Sequence, residues 1–375
     1  MPVVSRTFQL CASCLRRQGE SESLRLAEGR ECFVCGGMME RIPSIAKEVV
    51  KVARKYEFET FMVGVSLAEG VQEREDELRS ALRIMGKETL KTQVAKMAAD
   101  YVLSSLDKRV DKMKPDLALL VDLGRNHVTA TSRPLFFCAR YSKPEGIPQK
   151  REVCRACSGT GCASCRNAGY RRVASVEGLV ASKLAKLTGS DNVRFTWMGS
   201  EDRDSRVAFP GRPFVVEIKN PVRRRLPRGF IITTGKGRVR VTSGELMPGK
   251  PIRLPPFRFR TKIYGQALER PTSEALSELR DRFTMASVRF DRPDGRPAEK
   301  KVYALSARVR GGALTIDAEL DGGLPVKRLV SGELVSPSVS EVLKTEVRCR
   351  KFDICGVEET GKFEFAEIAR SQKKN

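Results

Sequence analysis

KVYALSARVRGGALTIDAEL, residues 301–320, sets two runs of alternating apolar and polar residues on either side of a Gly-Gly pair. Leu305, Ala307 and Val309 mark one face of the first arm; Leu314, Ile316, Ala318 and Leu320 mark one face of the second. A period of two is that of a half-buried strand. Gly311-Gly312 supplies the backbone freedom that a tight reversal needs. The stretch is therefore expected to be an antiparallel hairpin with one face in a core. Working outward, 193–198, 213–218, a hairpin across Gly235–Gly237, and 259–268 also read as strands. One helix, opened by Thr272-Ser273-Glu274, interrupts them. Upstream, Ser175 is expected to cap a helix with Val176, Leu179, Val180, Leu184 and Leu187 on one face.

The N-terminal half has a different rhythm. Ser44 can cap a helix whose apolar face uses Ile45, Val49, Val52 and Tyr56, and FETFMVGVSL (58–67) follows as a strand. Residues 75–106 read as two helices broken near Gly86, and DLALLVDL and HVTATSRPLFF as two strands. The order describes an α/β module. RYSKPEGIPQKR (140–151) reads as a long polar connector, and the terminal RSQKKN as a frayed tail.

The chain has 375 residues, long enough for two or three domains. No apolar run approaches the roughly 18 residues that span a bilayer. With no secretory signal visible, a cytoplasmic protein is expected. Sixty-nine Lys+Arg stand against 46 Asp+Glu, a net charge of +23. Much of the excess is local. PVRRRLPRGFIITTGKGRVRV (221–241) holds Arg223, Arg224, Arg225, Arg228, Lys236, Arg238 and Arg240 and no acid. Aromatic residues are interleaved there and in PFRFRTKIYG (256–265). Basic groups beside aromatic surfaces suit phosphates and bases. Because these stretches read as strands and turns, nucleic acid is favoured over a membrane surface.

Eight of eleven cysteines fall in C-x-x-C pairs. Cys11/Cys14 and Cys32/Cys35 match the spacing of a four-thiolate zinc site, which has no open position and is structural. Cys154, Cys157, Cys162 and Cys165 form a second set whose knuckles are separated by Ser-Gly-Thr-Gly. A second zinc site is the favoured reading, with a redox dithiol as the runner-up. Cys138, Cys349 and Cys355 are expected to be buried small hydrophobes, and His127 to sit exposed and inert in a polar turn.

One segment breaks the basic character. In WMGSEDRDSRVAFPGRPFVVEIKNP (197–221), Glu201, Asp202 and Asp204 crowd into four positions behind Trp197, the single tryptophan. With the paired C-x-x-C motifs, with IMGKE and PLFFCARYSKPEGIPQ, with the CxGxGC cluster running into SVEGLV, and with KIYGQALERP and GGLPVKRLVSGELVSPSVSEVL, this segment resembles the Pus-ten type tRNA pseudouridine synthases over nearly the whole chain.

The resemblance implies an α+β protein. Its parts would be a zinc-binding module (1–41), a THUMP-like RNA-binding α/β domain (42–150), a second zinc knuckle and linker (151–172), and a pseudouridine-synthase catalytic domain on a mixed, mainly antiparallel sheet (173–375). It implies isomerisation of uridine in the tRNA T-loop, at positions 54 and/or 55, with structural zinc and no organic cofactor. Carried over residue by residue, Asp202 is the catalytic aspartate, with Asp204 as fallback. Tyr264 stacks on the target base, Lys327 pairs with the catalytic carboxylate, and Leu329 helps wall the pocket. Arg223, Arg224, Arg225, Arg228, Lys236 and Arg238 are candidate RNA contacts. A monomer with no obligate protein partner is the default.

Three departures stand out. The family's Arg before Glu-Asp is Ser200, the Tyr expected after Gly-Gly-Leu is Pro325, and the segment expected to read Ser-Gly-Asp-x-Gly-Arg-Thr is SGELVSP, with Glu333 for Asp. They keep open an alternative, a zinc-stabilised tRNA-binding or chaperone protein with a degenerate site. A THUMP-bearing methyltransferase or thiolase is weaker, because neither a Rossmann glycine fingerprint nor a P-loop is present.

Overall fold

A computed structural model of the chain describes residues 7–365 except 20, 168, 172, 173, 191 and 293. The tail RSQKKN lies outside the described residues. The chain divides into two compact units. The first runs to Pro134 and takes back Lys219–Arg224; the second holds Leu135–Ile218 and everything from Arg225 onward.

In the first unit, β1 (Phe8–Leu10) and β2 (Leu24–Leu26) pair in parallel on either side of α1 (Ala12–Gln18). Helix α2 spans Met38–Ala53, so Ser44 is interior and does not cap it; its Oγ donates to the Arg41 carbonyl at 2.7 Å. Starting earlier buries Met38, Met39 and Ile42 in line with Ile45 and Val49. At roughly 1.5–3 kcal/mol for each large apolar side chain, that outweighs the roughly 3 kcal/mol cost of Pro43 inside the helix. Next come β3 (Thr60–Ser66), α3 (Val71–Ala81), α4 (Leu90–Ser105), β4 (Arg109–Val110), β5 (Leu117–Asp122) and β6 (His127–Ser132). The sheet order is β4-β3-β5-β6, with β3 parallel to β4 and β5 and β6 antiparallel to β5. His127 is exposed, as expected, but opens a strand instead of sitting in a turn. The break between α3 and α4 contains Gly86 in the left-handed region, and Thr89 caps α4 by accepting from Thr92 N.

The buried Glu75 organises this unit. Its carboxylate accepts from Leu90 N at the start of α4, from Arg17 Nε at 3.0 Å and from Gln18 Nε2 at 2.9 Å. It thereby ties the first cysteine module to the helices that follow. The returning segment also belongs here: Asn220 Oδ1 accepts from Ser132 N at 2.7 Å, and Val222 O accepts from Glu57 N at 2.7 Å.

The second unit begins with β7 (Leu135–Lys143) and continues through α5 (Val176–Thr188), β8 (Val193–Trp197), β9 (Val207–Ile218), β10 (Phe230–Thr234), β11 (Gly237–Met247), β12 (Pro251–Arg253) and β13 (Phe257–Ala267). It closes with α6 (Ser273–Phe283), β14 (Ala286–Asp291), β15 (Pro297–Arg310), β16 (Ala313–Asp321), α7 (Val326–Ser331), β17 (Val335–Ser336), α8 (Val339–Leu343), β18 (Val347–Glu359) and β19 (Glu364–Phe365). Eleven of these strands form one sheet in the order β10-β11-β7-β9-β18-β13-β16-β15-β14-β17, with β8 also on β9. Its pairings are antiparallel except for β18 with β9, joined in parallel at Ile354 and Val207. The hairpin of β15 and β16 closes at Arg310 opposite Ala313, with Gly311 and Gly312 both at positive φ. Leu305, Leu314, Ile316 and Leu320 are buried as the alternation predicts.

Two readings of the junction change. HVTATSRPLFF contains parts of two strands, because Pro134, with no N–H to donate, separates β6 from β7. Strand β7 lies between β11 and β9 in the large sheet. The expected polar connector is also substantially inside: Tyr141, Lys143, Ile147 and Gln149 are buried. The caps at Ser175 and Thr272 form as expected, accepting from Gly178 N and Ala275 N.

Candidate active site

The acidic run 199–206 is the connection between β8 and β9. Beneath it lies an aromatic cluster in which Trp197 stacks on Phe195 at 5.0 Å and meets Tyr141 edge-on at 5.6 Å, with Phe214 completing the group. Gly199 has φ +84, and a Cβ there would come within 2.2 Å of Arg212 Nη1, so only glycine fits.

The three acids of the run have separate fates. The Glu201 side chain is fully buried. It accepts from the Tyr141 hydroxyl at 2.6 Å and from Gln149 Nε2 at 3.2 Å. Arg212 Nε lies 3.0 Å from Glu201 Oε2, but its N–H is not aimed at that oxygen, so the two are held as an ion pair and not as a hydrogen bond. Burial pushes the Glu201 carboxyl up, against the lowering pull of Arg212, the Tyr141 hydroxyl and Lys143. Arg212 also donates to Met198 O at 2.9 Å. From below, the buried Lys143 ammonium donates to the carbonyls of Asp202, Arg203 and Ser205. Burial pulls the Lys143 pKa down, opposed by Glu201, Asp204 and Asp353.

Asp202 points outward. Its Oδ2 lies 2.8 Å from Lys327 Nζ at the start of α7, and both side chains are about half exposed, 43% and 54%. Lys327 is held above the ordinary lysine range by its bond to Asp202. The structure thus brings together the predicted carboxylate and the predicted cation from distant parts of the sequence. Asp204 is exposed and acts on Lys327 only through its charge at longer range. The neighbouring Arg328 is no free surface charge: it donates to the carbonyls of Glu333, Asp291 and Leu334 and pins the turn after α7. Pro325, at the residue before the first turn of α7, needs no N–H there.

Tyr264 stands half-buried on β13 with its hydroxyl donating to Asp353 Oδ2 at 3.3 Å. Lys351 Nζ lies 4.8 Å from its ring centroid and is tied to Glu145 at 2.5 Å. Burial and the Asp353 charge raise the Tyr264 pKa.

Other predicted residues are placed differently. Leu329 is fully buried in the core, so it backs α7 from behind instead of lining an open pocket. Arg224 is committed inside the first unit, 3.5 Å from Asp116 and donating to Ser132 Oγ and Arg133 O. Arg228, Lys236 and Arg238 are exposed. On β11, Arg238 and Arg240 face outward while Val239 and Val241 face the core. The lone cysteines are not buried hydrophobes: Cys138 and Cys349 are half-buried and Cys355 is exposed. Cys349 lies in the field of Lys327 and Asp202, with burial pushing its thiol up to about 11. Tyr141, Lys143, Gln149, Arg212 and Asp353, all unremarkable in sequence, surround the loop. Their signal is only a polar residue at an inward strand or loop position.

Both cysteine sets converge. Within each, one sulfur from every residue lies within 4.8 Å of the others. Tetrahedral zinc at about 2.3 Å from each sulfur sets sulfurs about 3.8 Å apart. The observed separations of 3.7 Å for Cys11–Cys35, 3.9 Å for Cys154–Cys162 and 3.8 Å for Cys157–Cys165 match that geometry. In the second set, Gly161 N and Gly169 N donate to cysteine sulfurs, which favours thiolates. The donors of both sets fit zinc.

Known proteins share this sequence over most of its length. Residues 45–122 match the archaeal Pus10 THUMP domain and residues 136–236 the Pus10 C-terminal domain. A protein of Cenarchaeum symbiosum is 32% identical over 93% of this chain and 89% of its own length. Relatives from Nitrosopumilus maritimus and Caldivirga maquilingensis are 28% identical (94% of this chain, 92% of theirs) and 30% identical (92% and 84%). All three are named tRNA pseudouridine synthase Pus10. The class is therefore that of the pseudouridine synthases, which are isomerases. Within it, this chain belongs to the Pus10 family. No helix among its described residues is long and apolar enough to cross a membrane.

Proposed function

We propose that this protein isomerises uridine to pseudouridine in the T-loop of tRNA, at position 54, 55 or both, in the cytoplasm. The observation that carries the reading is the Asp202–Lys327 pair at 2.8 Å, which sets an outward carboxylate beside a fixed cation. The target base must leave its stack before the glycosidic bond can be reached. Asp202 then acts on the ribose, as nucleophile or as base for a sugar proton, while Tyr264 stacks on the uracil. The base turns and rejoins C1′ through carbon, so no atoms are gained or lost and no organic cofactor is required. Retention of the carboxylate and its cation favours an enzyme over a binding protein with a degenerate site, despite Ser200 and Pro325. The test is to incubate a T-loop-bearing tRNA transcript with the protein and map pseudouridine chemically. Product at 54 or 55 is expected; tight binding with no product at any uridine would favour the chaperone reading.

Exposed arginines on the β10–β11 hairpin and just before it supply the phosphate contacts. Replacing Arg228, Arg238 and Arg240 together by Glu should weaken tRNA binding at all salt concentrations. Each phosphate left without its arginine should flatten the slope of log K against log salt by about 0.7–0.9. Filter binding across a salt series reads both effects, and an unchanged slope would place the RNA elsewhere. Arg224 is a poor choice for this test, because it is tied to Asp116, Ser132 and Arg133 inside the first unit and its loss would disturb the fold.

Zinc held by Cys11, Cys14, Cys32 and Cys35, and by Cys154, Cys157, Cys162 and Cys165, supplies folding energy and no chemistry, since four thiolates close each site. Binding at such sites is worth about 10–16 kcal/mol near neutral pH. Stripping the metal with a chelator should lower the thermal midpoint and expose the first module to protease. Unchanged melting after complete metal removal would contradict the structural role.

A further inference from the structure

We infer that Asp353 is a positioning residue of this site: its carboxylate grips both the tyrosine ring and the end of the acidic loop, keeping them in register. The inference rests on the roles proposed for Tyr264 and Asp202.

The two oxygens divide the work. Oδ2 accepts from the Tyr264 hydroxyl at 3.3 Å, and Oδ1 accepts from Arg206 N at 2.9 Å. The next residue continues the grip, Ile354 N donating to Arg206 O at 2.9 Å. Arg206 is thus bracketed at both its amide and its carbonyl by two successive residues of β18. Asp353 is itself anchored, because its carbonyl accepts from Thr261 Oγ1 at 2.8 Å. Thr261 is buried and lies on β13, the strand that carries Tyr264. The frame therefore closes on itself: β13 holds β18, and β18 holds both the ring on β13 and the loop that bears Asp202.

The chemistry requires a carboxylate. Both donors need acceptors, and an ionised carboxylate is acceptor-only, so neither bond depends on its orientation. An amide offers one acceptor oxygen and could keep only one of the two bonds in the same form. Lys351 restrains Tyr264 from the face of its ring, whereas Asp353 meets the hydroxyl and so sets the in-plane orientation. A misplacement near 1 Å in a reacting group can cost about 10²-fold. The effect should therefore fall on the chemical step and not on RNA affinity.

The test uses the zinc-loaded full chain and four variants: Asp353→Asn, Tyr264→Phe, the double variant, and Asp202→Ala. Single-turnover pseudouridine formation and tRNA Kd are measured for each, and the Tyr264 phenol is titrated by NMR with 13C at tyrosine Cζ, assigned by its absence in Tyr264→Phe. Asp353→Asn should slow single turnover by about 10–10²-fold with Kd changed less than about twofold. It should also shift the Tyr264 titration downward, since the negative charge that helps raise it is gone while Lys351 remains. In the Tyr264→Phe background, the same change should slow the reaction by less than in the wild type, because the two residues act as one unit. A wild-type rate in Asp353→Asn, or equal slowing with and without the Tyr264 hydroxyl, overturns the inference. Activity retained in Asp202→Ala would instead overturn the site assignment, and the Tyr264 titration would still report on the grip of Asp353.

Discussion

Alanine at position 202 is expected to leave tRNA affinity near wild type and to cut pseudouridine formation by about 10⁴-fold or more, the scale on which removal of a nucleophile or its equivalent acts. The loop itself should survive the change. Its conformation depends on Glu201 beneath it and on Lys143, which grips the carbonyls of residues 202, 203 and 205, and none of these bonds uses the Asp202 side chain. Removing one member of a half-exposed ion pair costs little stability. The loss should therefore be one of chemistry. Asp204→Ala is the matched control. Asp204 is exposed, and Lys327 is paired with Asp202 at 2.8 Å, so its removal should be mild. If Asp204→Ala were inactive and Asp202→Ala active, the two roles would exchange.

The second large effect is on stability. Arg212→Ala should destabilise the protein by about 3–5 kcal/mol, because it leaves the Glu201 carboxylate buried with its cation gone. Tyr141 and Gln149 would still donate to it, but two neutral donors do not replace a guanidinium. Removing both charges together, as Glu201→Gln with Arg212→Met, should recover much of the loss, since a buried pair replaced as a unit is often close to neutral. Chemical denaturation of the single and double variants measures the difference. Equal destabilisation in both would mean that hydrogen bonds, not the ion pair, hold the loop. Activity should fall in Arg212→Ala even where the protein remains folded, as Met198 O loses its donor and the backbone leading into Asp202 is released.

Much of this architecture is legible in the residues. The hairpin at 301–320, the capped helices at Ser175 and Thr272 and the two cysteine sets are readable because each rests on local spacing. Asp202 and Lys327 are readable only through family resemblance, since nothing in their own neighbourhoods shows that they meet. What stays hidden has a common cause. Tyr141, Lys143 and Gln149 lie in a stretch whose composition is that of a surface loop, and their burial depends on strand pairings made far away in the chain. Arg212 looks like ordinary strand polarity until the β8–β9 loop folds back onto it, and Asp353 until its partners, distant in sequence, are in place. Ser44 misleads in the opposite way: a good cap residue next to a proline loses to three apolar side chains upstream. The family resemblance points Leu329 to the pocket wall and charge points Arg224 toward RNA, but burial and an ion pair with Asp116 claim them for the fold.

The six residues that return to the first unit set a timetable for its synthesis. Ser132 N waits for Asn220, Glu57 for Val222 and Asp116 for Arg224. A ribosome adding about 5–20 residues per second needs about 5–20 s to make the intervening ninety or so. For that interval the first unit is outside the tunnel without its last partners. Strand β9, made in the same interval, waits in turn for β18, the last long strand of its sheet, and β7 waits for β11. Neither unit is a bead finished before the next begins, and a nascent chain of this protein has reason to meet a chaperone twice.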